Sequence, residues 1–126
     1  MKKILIVISD YYVDISKSLL NNAKKELNNY SFKIIKVPGV FEIPITISKN
    51  INKYNGFIAL GCVVKGKTPH FDYISKASIE AIMKLSINSK KPIGNGIITC
   101  LNMKQANYRR FKGKEAAVAL KSILSQ

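Results

Sequence analysis

Apolar residues in this chain come in short dense runs separated by amphipathic stretches, and the two patterns alternate from end to end. Residues 3–9, KILIVIS, are apolar without alternation, which fits a parallel strand covered on both faces. Ile15, Leu19, Leu20, Ala23 and Leu27 then recur at helical spacing. They predict a helix to about residue 29, with Asp14 or Ser16 as its N-cap. SFKIIKV at 31–37 predicts a second strand whose last residue, Val37, is held extended by Pro38. Pro38 and Gly39 turn the chain, and Pro44 suits the first turn of a helix to about Ile51. Asn55-Gly56 introduces a third strand over 57–64.

A longer helix is predicted over 72–89, with Ile74, Ala77, Ala81, Ile82 and Leu85 on one side. Pro92 starts a fourth strand, IGNGIIT, in which Gly94 and Gly96 signal close approach by another group. A short helix near 102–109 and a last one over 113–124 complete the order. Strands alternating with helices define a three-layer α/β/α sandwich on a four-stranded parallel sheet with right-handed crossovers. At 126 residues, one domain spanning 1–126 is the expectation.

Composition narrows the picture. The 47% hydrophobic content argues against wholesale disorder. None of the apolar runs is long enough to cross a bilayer. Ser9 and Asp10 end the first run too soon for a signal peptide, so a cytoplasmic protein without membrane contact is expected. Cys62 and Cys100 lie in strand-like segments without metal or redox spacing, which favours buried free thiols and no metal site. The formal net charge of +14 favours anions of any kind, nucleic acid included. The lysines are spread along the chain, however, and only YRRFKGK (108–114) is a dense cluster. A nucleic-acid partner is not expected.

In open parallel sheets, ligands gather beyond the carboxyl ends of the strands. The loops there carry Tyr11, Tyr12, Phe41, Glu42, Lys65, Gly66, Lys67, Thr68, His70 and Asp72. Gly66 frees the turn so that its amides and Thr68 can surround a phosphate, with Lys65 and Lys67 adding charge. An ordinary turn with solvated lysines is the plain alternative. GCVVKGKT (61–68) fits the P-loop pattern letter by letter, but CVV reads as strand and Pro69 follows where a helix should begin. That match is set aside. His70, the only histidine, is either an acid–base group or a residue at a helix start. Asp72 either orients it or caps the helix. Glu42 between Phe41 and Ile43 needs a backbone or ligand partner unless it is exposed. The rings of Tyr11, Tyr12 and Phe41 suit either a heterocycle or the core and subunit contacts.

PGVFEIP (38–44) and GCVVKGKTPHFDY (61–73) strongly resemble the two signature stretches of the 6,7-dimethyl-8-ribityllumazine synthase family. The likeness extends to ILIVISDYY, PIGNGIITC and KQANYRR, in order, and so covers nearly the whole chain. The resemblance implies a flavodoxin-like fold and a transferase of riboflavin biosynthesis that needs no cofactor. Its substrates would be 5-amino-6-(D-ribitylamino)uracil and 3,4-dihydroxy-2-butanone 4-phosphate. By the same resemblance Tyr11 stacks on the pyrimidine, Val40, Phe41 and Glu42 border the ribityl chain, and Cys62, Val63 and Val64 line the pyrimidine pocket. Gly66, Lys67 and Thr68 match the phosphate-side loop, and His70 the proton shuttle. Arg109 matches the arginine that grips phosphate from the neighbouring subunit, and Lys112 the lysine near the ribityl end.

The resemblance also implies a homopentamer with sites between subunits, with a sixty-subunit capsid as the larger alternative. Five features depart from the family. Tyr12 replaces a small amide residue, Asp10 a common arginine, and Asn95 stands where an aromatic ring leans over the pyrimidine. The turn after Arg109 is shorter, which leaves Arg110 and Lys114 as substitutes for Lys112. The chain also begins at its first strand, where many members carry a preceding segment. Three rival readings follow: a related riboflavin synthase, a non-catalytic flavin- or lumazine-binding protein on the same scaffold, and a basic RNA-binding protein.

Overall fold

The computed structural model describes residues 1–126. Its elements are β1 (Lys3–Ser9), α1 (Val13–Lys24), β2 (Ser31–Val37), a 3₁₀ turn (Val40–Glu42), α2 (Ile43–Lys49), β3 (Gly56–Val64), α3 (His70–Ser89), β4 (Ile93–Cys100), α4 (Met103–Tyr108) and α5 (Lys112–Leu124). The four strands form one parallel sheet in the order β2-β1-β3-β4. The helices on both faces make the α/β/α sandwich that the alternation of patterns predicts, and the strand order makes it flavodoxin-like, as the family resemblance implies.

Side-chain alternation divides the core in two. Ile4, Ile6 and Ile8 of β1 point to the layer that holds Leu19 of α1 and Leu120 of α5. Leu5 and Val7 point to the other, with Ile43 and Ile47 of α2 and Ile82 of α3. A strand buried on both faces has no polar side to show, which explains the unbroken ILIVI. Gly94 of β4 lies under α5, and a methyl group there would collide with the backbone carbonyl of Ala116. Gly113 in turn lets α5 meet the backbone of α1 at Leu19.

Four local expectations are corrected. The first helix ends at Lys24, not near residue 29: Glu26 and Leu27 donate to the carbonyls three residues back, at 3.1 Å each, and the tightened turn precedes Asn28-Asn29. Leu27 still reaches the core, from the turn. Neither Asp14 nor Ser16 caps α1; Tyr12 holds the N-cap position, and Ser16 Oγ donates to the Ser9 carbonyl at 2.9 Å. On α3 the inward position goes to Ser78, which is buried, while Ala77 faces outward. Helix α3 also begins two residues early, at His70, with Pro69 at its N-cap position. No helix is long and apolar enough to cross a membrane.

Candidate functional site

The connections after β1 and β2 run to opposite sides of β1, so a crevice opens between the carboxyl ends of β1 and β3. A cavity of about 720 Å³ occupies it. The end of β1 contributes Ser9, Tyr11 and Tyr12; the turn after β2 contributes Pro38, Gly39, Val40, Phe41 and Glu42. Strand β3 adds Cys62, Val63 and Val64, and α3 adds His70 and Ile74. Most of these are apolar, leaving Glu42 and His70 as the groups able to carry charge among hydrophobic walls.

Tyr11 is 74% exposed and Phe41 62%, so both rings stand free to meet a flat ligand. Tyr12 meets Tyr11 edge-on, with ring centres 5.0 Å apart, and packs against the core. Burial, with Cys62 and Tyr11 contributing less, raises the Tyr12 phenol. The Glu42 carbonyl accepts from Thr46 Oγ1 at 2.9 Å, which fixes the backbone at the start of α2. Burial pushes the Cys62 thiol up to about 12, with Cys100 adding to the shift. Cys100 is raised by burial and partly drawn back by Arg109. Both remain free thiols, and neither is poised as a nucleophile.

The loop between β3 and α3 is exposed from Lys65 to His70. Its first amide is tied to the end of β4, Lys65 N–H donating to the Cys100 carbonyl at 2.8 Å. The His70 amide donates to Thr68 Oγ1 at 3.4 Å, and the space beside Gly66 is open. Gly66, Lys67 and Thr68 thus lead into the cavity without lining it. Asp72 sits exposed in the first turn of α3, where its charge suits the helix start.

Asn95, Arg109 and Lys112 lie elsewhere. They line a second cavity, of about 450 Å³, formed by β4 with the α4–α5 corner. Strand β4 is an edge of the sheet, so this cavity opens at the flank of the molecule. Arg109 Nη1 donates to the Thr99 carbonyl at 2.9 Å, and Lys112 pairs with Glu115 at 3.2 Å. Asn95 Oδ1 accepts from the Ile97 amide at 3.0 Å. Arg110 is turned away, bonding Ser18 Oγ at 3.1 Å and Asn107 Oδ1 at 2.6 Å, so it belongs to the α1 contact. Lys114 lines neither cavity. The sequence reading missed Thr99, Tyr108, Phe111 and Glu115. The K-x-x-E spacing at 112–115 and the alternation of Asn95, Ile97 and Thr99 are the signals that point to them.

Fold and cavity together define a flavodoxin-like α/β protein with a crevice of small-molecule size at the carboxyl end of its sheet. The model of the 6,7-dimethyl-8-ribityllumazine synthase family matches residues 1–126, and the chain belongs to that family, the transferases of riboflavin biosynthesis. It is 41% identical to the 6,7-dimethyl-8-ribityllumazine synthase of Afipia carboxidovorans, over 93% of this chain and 80% of the relative. It is 40% identical to that of Agrobacterium fabrum, over 97% and 90%, and 34% identical to that of Corynebacterium kroppenstedtii, over 93% and 79%.

Proposed function

We propose that this chain condenses 5-amino-6-(D-ribitylamino)uracil with 3,4-dihydroxy-2-butanone 4-phosphate at a site completed by a second copy, in a single domain over 1–126. The observation that carries the reading is the separation of two half-sites. His70 and the aromatic walls line one cavity, while Arg109 and Lys112 line another at the β4 edge. In a ring of identical subunits, one subunit's first cavity faces its neighbour's second. A homopentamer is such a ring, and the cytoplasm is its expected place; a capsid is the further form.

Tyr11 stacks on the pyrimidine, and Cys62, Val63 and Val64 wall it in. Val40, Phe41 and Glu42 border the ribityl chain, with the Glu42 carboxylate accepting from its hydroxyls. Gly66, Lys67 and Thr68 surround the phosphate through loop amides, the Thr68 hydroxyl and one ammonium. Arg109 of the neighbour grips the same phosphate from the other side. Lys112, held by Glu115, meets the ribityl end, and Asn95 borders the ring from that side.

The amine attacks the butanone carbonyl and one water leaves as the Schiff base forms; phosphate is eliminated, and the ribityl-bearing amine closes the ring on the remaining carbonyl with loss of a second water. His70 moves protons between nitrogen, carbon and oxygen during these steps. Fixed positive charge at Arg109 and the loop amides stabilises the departing phosphate. Holding two small substrates together supplies much of the remaining rate.

The test is complementation. His70→Ala and Arg109→Ala proteins should each lose about 10²-fold or more in kcat/KM, followed by lumazine absorbance and phosphate release. Unfolded together and reassembled, they should regain roughly a quarter of wild-type activity, because random neighbours in a ring restore some intact sites. If the mixture stays as inactive as its parts, the site is not shared. If wild type binds the uracil but releases no phosphate, the chain is a binding protein on the same scaffold.

A further inference from the structure

At the amino-terminal end of the sheet, opposite the cavity between β1 and β3, lies a smaller cleft of about 260 Å³. It is lined by Lys3, Ser31, Phe32, Lys33, Lys53 and Tyr54. Lys3 pairs in register with Ser31, and Lys33 follows two residues along β2. Alternation puts all three on the sheet face that carries Leu5 and Val7. Strand spacing sets Lys3 and Lys33 about 8 Å apart at Cα. Lys53 comes from a third element, the turn between α2 and β3.

The backbone of this cleft is pinned. The Lys3 amide donates to Asn55 Oδ1 at 2.8 Å, and the Asn55 amide donates to the Lys3 carbonyl at 2.8 Å. The Tyr54 ring sits edge-on against buried Phe57, with centres 6.0 Å apart. The backbone beneath the lysines is therefore fixed, and only their exposed side chains must order to receive a ligand.

None of the three lysines has a carboxylate partner. The chain's ion pairs are Lys76–Glu80, Lys112–Glu115 and Lys121–Glu26. Its other acids, Asp10, Asp14, Glu42 and Asp72, belong to the carboxyl end of the sheet, and none falls between Ile43 and Phe71. Three cations from three elements thus line one concave surface without an internal counter-charge, and the field they make there attracts anions from solution. The volume is below the range of about 300 Å³ upward that holds drug-sized ligands. Ammonium groups bind phosphate as point charges, and the Ser31 and Tyr54 hydroxyls can donate beside them.

We propose that Lys3, Lys33 and Lys53 form a second anion site, separate from the reaction centre, that takes a phosphate dianion, either free or as the terminal group of a small metabolite. Strand β1 separates the two regions by about 20 Å. The site accounts for part of the net charge that the condensation does not use.

Titration calorimetry with inorganic phosphate on assembled Arg109→Ala protein tests this, since that substitution weakens the reaction centre's own hold on phosphate. One phosphate per chain should still bind. Adding Lys33→Gln and Lys53→Gln should weaken it by about tenfold or more, while Lys53→Arg keeps it. The Lys33→Gln/Lys53→Gln protein with Arg109 intact should retain synthase activity and its melting temperature without phosphate. Glycerol phosphate in place of inorganic phosphate separates the sources: the tighter of the two names the ligand, and both must lose affinity with the lysines. Phosphate binding unchanged by the lysine substitutions, or absent once Arg109 is removed, overturns the proposal. A failed shared-site assay would leave this titration unaffected, so the two readings can fail separately.

Discussion

Cys62 walls the first cavity with its thiol pushed up to about 12 by burial, Cys100 adding to the effect. An unfolded thiol ionises near pH 8.5. The folded chain therefore keeps a proton that the unfolded chain releases between those values. Its contribution to stability is complete below about pH 8.5 and is lost as pH rises towards 12. Urea midpoints should fall between pH 8 and pH 11, and Cys62→Ala should flatten part of that fall relative to wild type. Equal slopes would mean that the thiol is not held neutral. His70 shares the cavity but lies at its exposed rim, at the start of α3, where solvent can exchange its proton. The same cavity thus holds a buried thiol that packs and an exposed imidazole in reach of solvent.

Glycines set how closely the elements meet. Gly94 admits the Ala116 backbone against β4 and so seats α5, which carries Lys112 and Glu115. Gly94→Ala should destabilise by about 1–3 kcal/mol, seen as a lower melting temperature, because backbone rather than a flexible side chain must move. It should also weaken activity through Lys112; an unchanged melting temperature would show that α5 is loosely seated. The helix ends show where sequence signals compete. Asp14 and Ser16 both have capping chemistry, yet the Ser9 carbonyl captures the Ser16 hydroxyl. Periodicity alone carried the first helix through Leu27, since a tight turn and one more helical turn can bury the same side chain.

One chain exposes the apolar side chains of Ile79, Met83 and Ile87 along α3, four residues apart and hence on one face. Such a stripe fits the proposed assembly. Met83→Asp should shift light-scattering mass towards smaller species, with synthase activity falling in parallel if sites are shared. Full-size particles with full activity would remove this face from the interface. At this scale the basic charge gathers at two concave places, Arg109 and Lys112 at the β4 flank and Lys3, Lys33 and Lys53 at the far end of the sheet.

The strand cores, their parallel arrangement and the Tyr11, Tyr12, Phe41, Glu42 and His70 side chains of the first cavity were legible in the sequence, because burial on two faces and ligand loops at strand ends leave local patterns. Val40, Cys62, Val63 and Val64 came through the family resemblance, and Gly66, Lys67 and Thr68 stand outside the cavity. PGVFEIP and GCVVKGKTPHFDY carried the family by themselves. Only the tertiary structure decided that Arg110 serves the α1 contact while Arg109 turns to the Thr99 carbonyl, since neighbours in sequence point apart around a turn. It alone assembled Lys3, Lys33 and Lys53 into one cleft. Their separation along the chain hides a proximity that strand register creates.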